Sequence, residues 1–298
     1  MNNFLEALNS GKILLCDGAM GTELQKRGLP SGACPEEFNI LHPEIIKDIH
    51  RDYFLAGSDI VETNSFGANR ARLKLHGFEN RVVEFCFAAA NLAKSVCPEG
   101  KFVAGSMGPT GELLEPLGPL TESEAYNIFS EQAAALEKGG VDVLYVETMM
   151  ALEEAEIAVK AAKENTKLPV AASMTFELGK TGLRTMWGVD VKTAALKYIE
   201  AGADVIGANC GKGFDEMIAI MKELRPLTNK PIIAQANAGI PEWIHGMSVY
   251  TETPEVIAPK AEQLLNTGVN IIGGCCGTGP EHIRKIKIIL DRYLNSSI

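Results

Sequence analysis

One short pattern recurs four times along this chain and does more than any other feature to limit its fold. It reads Ala56-Gly57-Ser58-Asp59-Ile60-Val61, then Gly139-Gly140-Val141-Asp142-Val143-Leu144, Ala201-Gly202-Ala203-Asp204-Val205-Ile206 and Thr267-Gly268-Val269-Asn270-Ile271-Ile272. Each copy has the form of a helix end, a short turn and a buried parallel strand, with the glycine supplying a left-handed cap. Eight β-branched or apolar runs in all end in polar, glycine-bearing turns, at 13–18, 59–65, 102–108, 142–148, 170–176, 204–210, 232–237 and 270–275. The recurrent segments open the second, fourth, sixth and eighth of these. A repeat on every second unit suits a barrel whose interior is layered by alternate strands, and eight units are the number that closes one. Between the runs lie helical periods: Ile46, Ile49 and Tyr53 share one face, and Ile283, Ile286, Leu290 and Tyr293 share another. Thr121 with Glu124 has capping-box spacing, Thr253 stands before Pro254, and Pro43 and Pro280 sit where first-turn prolines belong. The expected fold class is therefore α/β, a single-domain (β/α)8 TIM barrel.

Size and composition agree with this. The chain has 298 residues, 46% of them hydrophobic, with no linker or low-complexity stretch, so residues 1–298 are read as one domain. A doubly wound open sheet is the alternative, but no G-x-G-x-x-G follows the first strand and no G-x-x-x-x-G-K-[ST] occurs. With 28 Lys and Arg against 38 Asp and Glu, no basic field exists to hold a phosphate backbone, which excludes nucleic acid as the expected partner. No apolar run reaches the roughly 18 residues of a membrane span. Residues 1–15 lack the basic stretch and cleavage site of a signal peptide, so a cytoplasmic location is expected. Seven cysteines, an odd number, then argue for reduced thiols.

In a barrel of this kind chemistry sits at the C-terminal ends of the strands. Those ends read Asp17-Gly18, Thr63-Asn64, Glu147-Thr148, Asn209-Cys210, Asn237 and Cys275-Cys276, and the glycine- and proline-rich segment 105–119 is expected as a long loop on the same face. Cys210, Cys275 and Cys276 thus fall on one rim, and three thiolates there make a tetrahedral zinc site with one vertex open. The pair Cys275-Cys276 shares a metal only where the chain leaves the strand, which Gly273, Gly274 and Gly277 permit. Core cysteines and a redox-active vicinal pair have the same spacing, and spacing alone leaves all three readings standing. With zinc in place, a thiol at the open vertex is held as the thiolate, and three cysteinates suit alkyl transfer better than hydrolysis. His42, His50, His76, His245 and His282 lie at no strand end and are expected on helix surfaces or in loops, and Trp187 and Trp243 as rim anchors. The turn from Asp17 through Gly18 and Ala19 to Thr22 offers amides for a carboxylate, and Asp17 with Glu147 could hold an ammonium group. Singly, Asp17 is a turn cap and Glu147 the partner of a base; together they outline an amino-acid zwitterion site. Asn237 could orient a ligand or fill the vacant vertex, although asparagine at a strand end is most often a turn former.

Asp17-Gly18-Ala19-Met20-Gly21-Thr22, Thr63-Asn64-Ser65-Phe66-Gly67-Ala68, Gly108-Pro109-Thr110-Gly111, Gly207-Ala208-Asn209-Cys210, Asn237-Ala238-Gly239 and Gly273-Gly274-Cys275-Cys276-Gly277 together resemble the homocysteine S-methyltransferase family. The likeness covers almost the whole chain and is greatest to the homocysteine-binding module of its cobalamin-dependent branch. It implies a homocysteine-binding (β/α)8 barrel with zinc on Cys210, Cys275 and Cys276. It also implies the homocysteine amino group near Asp17 and Glu147, its carboxylate on amides near Gly18 and Ala19, and Asn237 approaching the zinc when substrate is absent. The implied reaction is methyl transfer to the thiolate of L-homocysteine, giving methionine as a methionine synthase does, with no catalytic side chain beyond the zinc-activated substrate. The segment 63–76 resembles the cobalamin-dependent branch, and the chain ends at Ile298 after one final helix, so the expected donor is methylcobalamin or another methyl-corrinoid on a separate protein. Arg184-Thr185-Met186-Trp187-Gly188 departs from the Thr-Gly-rich stretch of the family on the donor-facing side. Free donors such as S-methylmethionine, betaine or S-adenosylmethionine are the alternative, another acceptor thiol a further one. From other classes come a non-catalytic structural-zinc scaffold and a thiol sensor.

Overall fold

The structure, a computed structural model, describes residues 4–244 and 247–296; His245 and the side chain of Trp243 lie outside what it describes. Eight parallel strands run β1 (Leu14–Leu15), β2 (Ile60–Glu62), β3 (Phe102–Met107), β4 (Val143–Met149), β5 (Val170–Met174), β6 (Val205–Cys210), β7 (Ile232–Ala236) and β8 (Ile271–Gly274). Each pairs with the next in sequence, β8 pairs with β1, and the bridge between Cys16 and Ile60 joins β1 to β2, so the sheet closes on itself. This is the single (β/α)8 barrel expected from the alternation.

Alternation along the strands sorts residues between two cores. Leu14, Phe102, Ala104, Val143, Tyr145, Ala171, Val205, Ile233 and Ile271 fill the barrel interior, where the N-terminal helix Phe4–Asn9 closes the lower end with Phe4 and Leu8. Their neighbours Leu15, Val103, Leu144, Val146, Ala172, Ile206, Ala234 and Ile272 point outward into the larger core under the helices. Because the side-chain period is two, the inward set continues upward as Cys16, Glu62, Ser106, Glu147, Ser173, Asn209, Gln235 and Cys275. The apolar interior thus gives way to a polar layer at the C-terminal mouth.

The recurrent pattern is explained at the opposite end. Gly57, Gly140, Gly202 and Gly268 all have φ between 84° and 112°, the first three as left-handed helix caps and Gly268 in the turn after the helix that ends at Leu265. The Asp or Asn two residues on then reaches the start of the preceding strand: Asp59 accepts from Leu15 N (3.0 Å), Asp142 from Val103 N (2.8 Å), Asp204 from Val170 N (2.8 Å) and Asn270 from Ile232 N (3.0 Å). Lys101, Lys94 and Lys163 pair with the three aspartates. The four repeats therefore tie the strands together two by two.

Helix starts follow the sequence signals: Thr121 and Glu124 form a reciprocal capping box, and Pro43 and Pro254 occupy first turns. His50 corrects the expectation of a surface or loop position. It lies four residues after Ile46 on the apolar face of helix Pro43–Ala56, is fully buried, and has no partner on either ring nitrogen. Among the described residues no helix is long and apolar enough to cross a membrane.

Candidate functional site

A cavity of about 370 Å³ opens at the C-terminal mouth, lined by the turn from Gly18 to Thr22, by Glu62, Asn64, Ser106, Glu147 and Thr148, and by Cys210, Cys275 and Cys276. Segment 108–121 after β3 is a long loop on this face, as its glycines and prolines suggest.

The three sulfurs converge because two strands end abruptly. Cys210, the last residue of β6, has φ 63°, a strained left-handed conformation for a residue with a Cβ, and Thr148 on β4 has φ 58°. On β8 the chain leaves the sheet after Gly274, so Cys275 and Cys276 sit in a turn rather than on opposite faces. Thr278 locks that turn, its N–H and hydroxyl both donating to Cys275 O, and a Cβ on Gly274 would lie 2.1 Å from Thr278 Oγ1. The Cys210, Cys275 and Cys276 sulfurs all lie within 4.8 Å of one another, Cys210 and Cys275 at 3.0 Å. Thiolates on a tetrahedral zinc stand about 3.8 Å apart, so this donor set fits the ion. Hydrogen bonding from the Cys210 and Cys275 thiols draws the Cys276 thiol down toward the thiolate, the form a metal requires.

Beside the sulfurs is an acidic floor. Glu147 accepts from Ser106 Oγ and from Asn209 Nδ2 (3.1 Å), and burial, partly offset by the Ser106 bond, raises its pKa to about 7. Glu62 accepts from Gln235 Nε2 (2.7 Å) and from Cys16 Sγ (3.5 Å). Asp17 is placed behind this floor rather than on it: it is buried, is absent from the cavity lining, and accepts from Glu62 N (2.9 Å). Burial pushes both Asp17 and Glu62 well above the usual carboxyl range.

At the other wall Gly18 is packed so closely that a Cβ would lie 2.4 Å from Thr278 O. Ala19 N–H is already committed to Thr278 O (2.9 Å), but the helix that begins at Met20 has no side-chain cap, and the Thr22 hydroxyl is buried without a partner. Asn237 lies beside the cysteine-bearing backbone rather than in the lining, with the following Ala238 N–H donating to Cys276 O (3.0 Å). Its Nδ2 donates to Gly211 O (2.6 Å), and its Oδ1 is buried without a donor. Sequence inspection missed Glu62 and Ser106 as parts of the site and gave Asn209, named at its strand end, no role, although their inward parity with Ile60, Ala104 and Val205 was there to be read.

A second cavity of about 610 Å³ shares Arg72 with the first and is walled by 109, 111–117, Met150, Met186 and Trp187. Leu117 (71% exposed), Met186 (79%) and Trp187 (48%) leave an apolar rim in solvent there.

Comparison with known proteins agrees with this geometry. The profile of homocysteine S-methyltransferases matches residues 14–290. The chain is 32% identical over 297 residues to the methionine synthase of Mycobacterium tuberculosis (strain ATCC 25618 / H37Rv), covering 93% of this chain and 24% of that protein, so it spans about a quarter of that relative. It is 33% identical over 309 residues to betaine–homocysteine S-methyltransferase 1 of Bos taurus, covering 95% of this chain and 73% of that one. Among solved structures, the metallated form of the homocysteine methyltransferase MmuM from Escherichia coli superposes with a TM-score of 0.80 at 23% identity, over 97% of this chain and 99% of that one, which shows a common fold.

Proposed function

The chain belongs to the homocysteine S-methyltransferase family, and we propose that it methylates the thiol of L-homocysteine to give methionine, using zinc held by Cys210, Cys275 and Cys276. The observation that carries this reading is the convergence of those three sulfurs in the same cavity as Glu147 and the turn from Gly18 to Thr22. Zinc bound there supplies a Lewis acid that lowers the pKa of a thiol placed beside it. The polypeptide does the rest by placement. Glu147, with the Asp17 carboxyl behind it, favours the ammonium end of an amino acid. The turn after Gly18 and Ala19, where the helix from Met20 has no side-chain cap and the Thr22 hydroxyl no partner, receives the carboxylate. Between these ends the substrate sulfur is directed toward the cysteines and away from water, so no side chain is needed as base at the moment of transfer. Asn237 Oδ1, buried and without a donor, is the group expected to approach the zinc when no substrate is bound.

For the donor we propose a methyl-corrinoid carried by a separate protein. The apolar rim of Leu117, Met186 and Trp187 beside the cavity mouth supports this, as an exposed patch suited to another macromolecule. A free donor is the second reading, favoured by 33% identity to a betaine-dependent relative of which the chain covers 73%. The test is methionine formation from homocysteine, followed by mass spectrometry, with methylcobalamin, betaine, S-methylmethionine and S-adenosylmethionine offered in turn to zinc-loaded protein. Turnover with methylcobalamin alone supports the first reading; turnover only with one of the others replaces it. No methionine with any donor counts against the proposed reaction.

A further inference from the structure

The turn that carries Cys275 and Cys276 is fastened from two sides. On the inner side Gly274 N–H donates to Asp17 O (2.9 Å) and Cys275 N–H to Ala236 O (2.8 Å). On the outer side lies a strap, residues 250–253, which leads into the helix Pro254–Leu265. Glu252 is its anchor. Its N–H donates to Ala238 O (3.1 Å), and its carboxylate takes Lys260 (2.6 Å), which also pairs with Asp215 (2.7 Å) on the helix that follows Cys210. Its side chain covers Gly239 so closely that a Cβ there would lie 2.8 Å from Glu252 Cγ. Tyr250, on the same strap, packs on Gly277, where a Cβ would lie 2.1 Å from its Cγ, and its hydroxyl hydrogen-bonds the Cys276 side chain.

One side chain, His282, completes the link between strap and turn. Gly279 N–H, three residues past Cys276, donates to His282 Nδ1 (3.1 Å), and His282 Nε2 lies 2.9 Å from Glu252 O. An amide N–H only donates and a carbonyl only accepts, so Nδ1 carries the lone pair and Nε2 the proton, a single neutral tautomer set by both neighbours. The bonds form a closed circuit. Ala238 N–H donates to Cys276 O (3.0 Å), Glu252 N–H to Ala238 O, His282 to Glu252 O, and Gly279 N–H to His282. Every other link is backbone to backbone, so removal of the imidazole alone opens it. We infer that His282 is a positioning residue of the metal centre, holding the turn against the strap so that the Cys275 and Cys276 sulfurs stay aimed at the ion and Tyr250 stays on Cys276; this rests on zinc being bound by Cys210, Cys275 and Cys276. Groups that orient metal ligands without touching the ion are worth about 10–100-fold in metal affinity.

The experiment measures zinc dissociation constants by competition with a chromophoric chelator on the reduced full chain, for wild type, His282→Ala, His282→Gln and Tyr250→Phe, with melting of the metal-free and zinc-loaded forms recorded for each. His282→Ala should bind zinc about tenfold or more weakly, and its zinc-loaded form should lose more Tm than its metal-free form. His282→Gln, whose amide nitrogen can stand in for Nε2 on Glu252 O, should recover part of the affinity, which keeps the test open should His282→Ala fold poorly. In cobalt-loaded protein the sulfur-to-metal charge-transfer band should move to longer wavelength in Tyr250→Phe, which strips a hydrogen bond from the Cys276 sulfur, and in the same direction in His282→Ala. Wild-type zinc affinity in His282→Ala, or equal falls in Tm with and without zinc, overturns the inference and leaves the proposed function standing. So does a band that moves in Tyr250→Phe and stays in place in His282→Ala. Reduced wild type that binds no zinc overturns the proposed zinc centre and this inference with it.

Discussion

Asn209 holds the mouth of the barrel together, and replacing it with alanine should be felt in both stability and binding. Its Oδ1 accepts from Thr148 N (2.8 Å) and Ser173 Oγ (2.7 Å), while its Nδ2 donates to Thr148 Oγ1 (2.7 Å) and Glu147 Oε2 (3.1 Å). One buried side chain thus joins β4, β5 and β6, and it restrains Thr148, whose φ of 58° is strained. Ser173 keeps its contact with Tyr145 when Asn209 is cut back, whereas Thr148 N–H loses its acceptor. A stranded buried amide costs about 1–3 kcal/mol and each of the other bonds about 0.5–1.5 kcal/mol, so Asn209→Ala should lose about 4 kcal/mol. With an unfolding entropy of about 2.1 cal/mol/K per residue over roughly 300 residues, that is a fall in Tm of about 6 °C. Calorimetric melting of the wild type and variant measures the shift, and homocysteine titration should show weaker binding because Glu147 is no longer held. A Tm within about 1 °C of wild type would refute the assignment of Asn209 as the tie between these strands.

Two further outcomes are expected. Cys210→Ala, Cys275→Ala and Cys276→Ala should each lose zinc and methyl transfer while keeping the wild-type circular dichroism spectrum; unfolding on zinc loss would instead mark a structural ion. His50 is held neutral by burial, its pKa lowered to about 3. The unfolded chain, at about 6.5, takes up the proton first, so stability is complete above that pH and is lost as pH falls through the window toward 3. At pH 4.5 the loss is about 3 kcal/mol, so His50→Leu should melt roughly 4–5 °C higher relative to wild type at pH 4.5 than at pH 7.5. Parallel Tm profiles would contradict this.

Much of the architecture was legible because it rests on local chemistry. Gly57, Gly140 and Gly202 are the left-handed caps of helices that run into buried strands, and Gly268, also left-handed, closes the turn after the helix that ends at Leu265. The partner of that glycine was not legible in the same way: Asp59, Asp142, Asp204 and Asn270 bond to amides 34 to 44 positions away in the chain. At the site, the convergence of Cys210, Cys275 and Cys276 followed from strand ends alone. Glu62 was passed over because position at a strand end says how high a residue sits, and parity says whether it faces the cavity. Asp17 accepts from Glu62 N behind the cavity wall, and Glu62, one residue below the inspected pair Thr63-Asn64, lines the cavity. The left-handed conformations at Thr148 and Cys210 fall on residues that carry a Cβ, so only the folded chain displays them.

The thiol-accepting centre is tested most directly by zinc K-edge X-ray absorption on the purified, reduced protein with and without L-homocysteine. Three sulfurs and one nitrogen or oxygen that become four sulfurs on addition is the expected result. A shell unchanged by homocysteine, or reduced protein that retains no zinc, would contradict a homocysteine-activating centre at Cys210, Cys275 and Cys276.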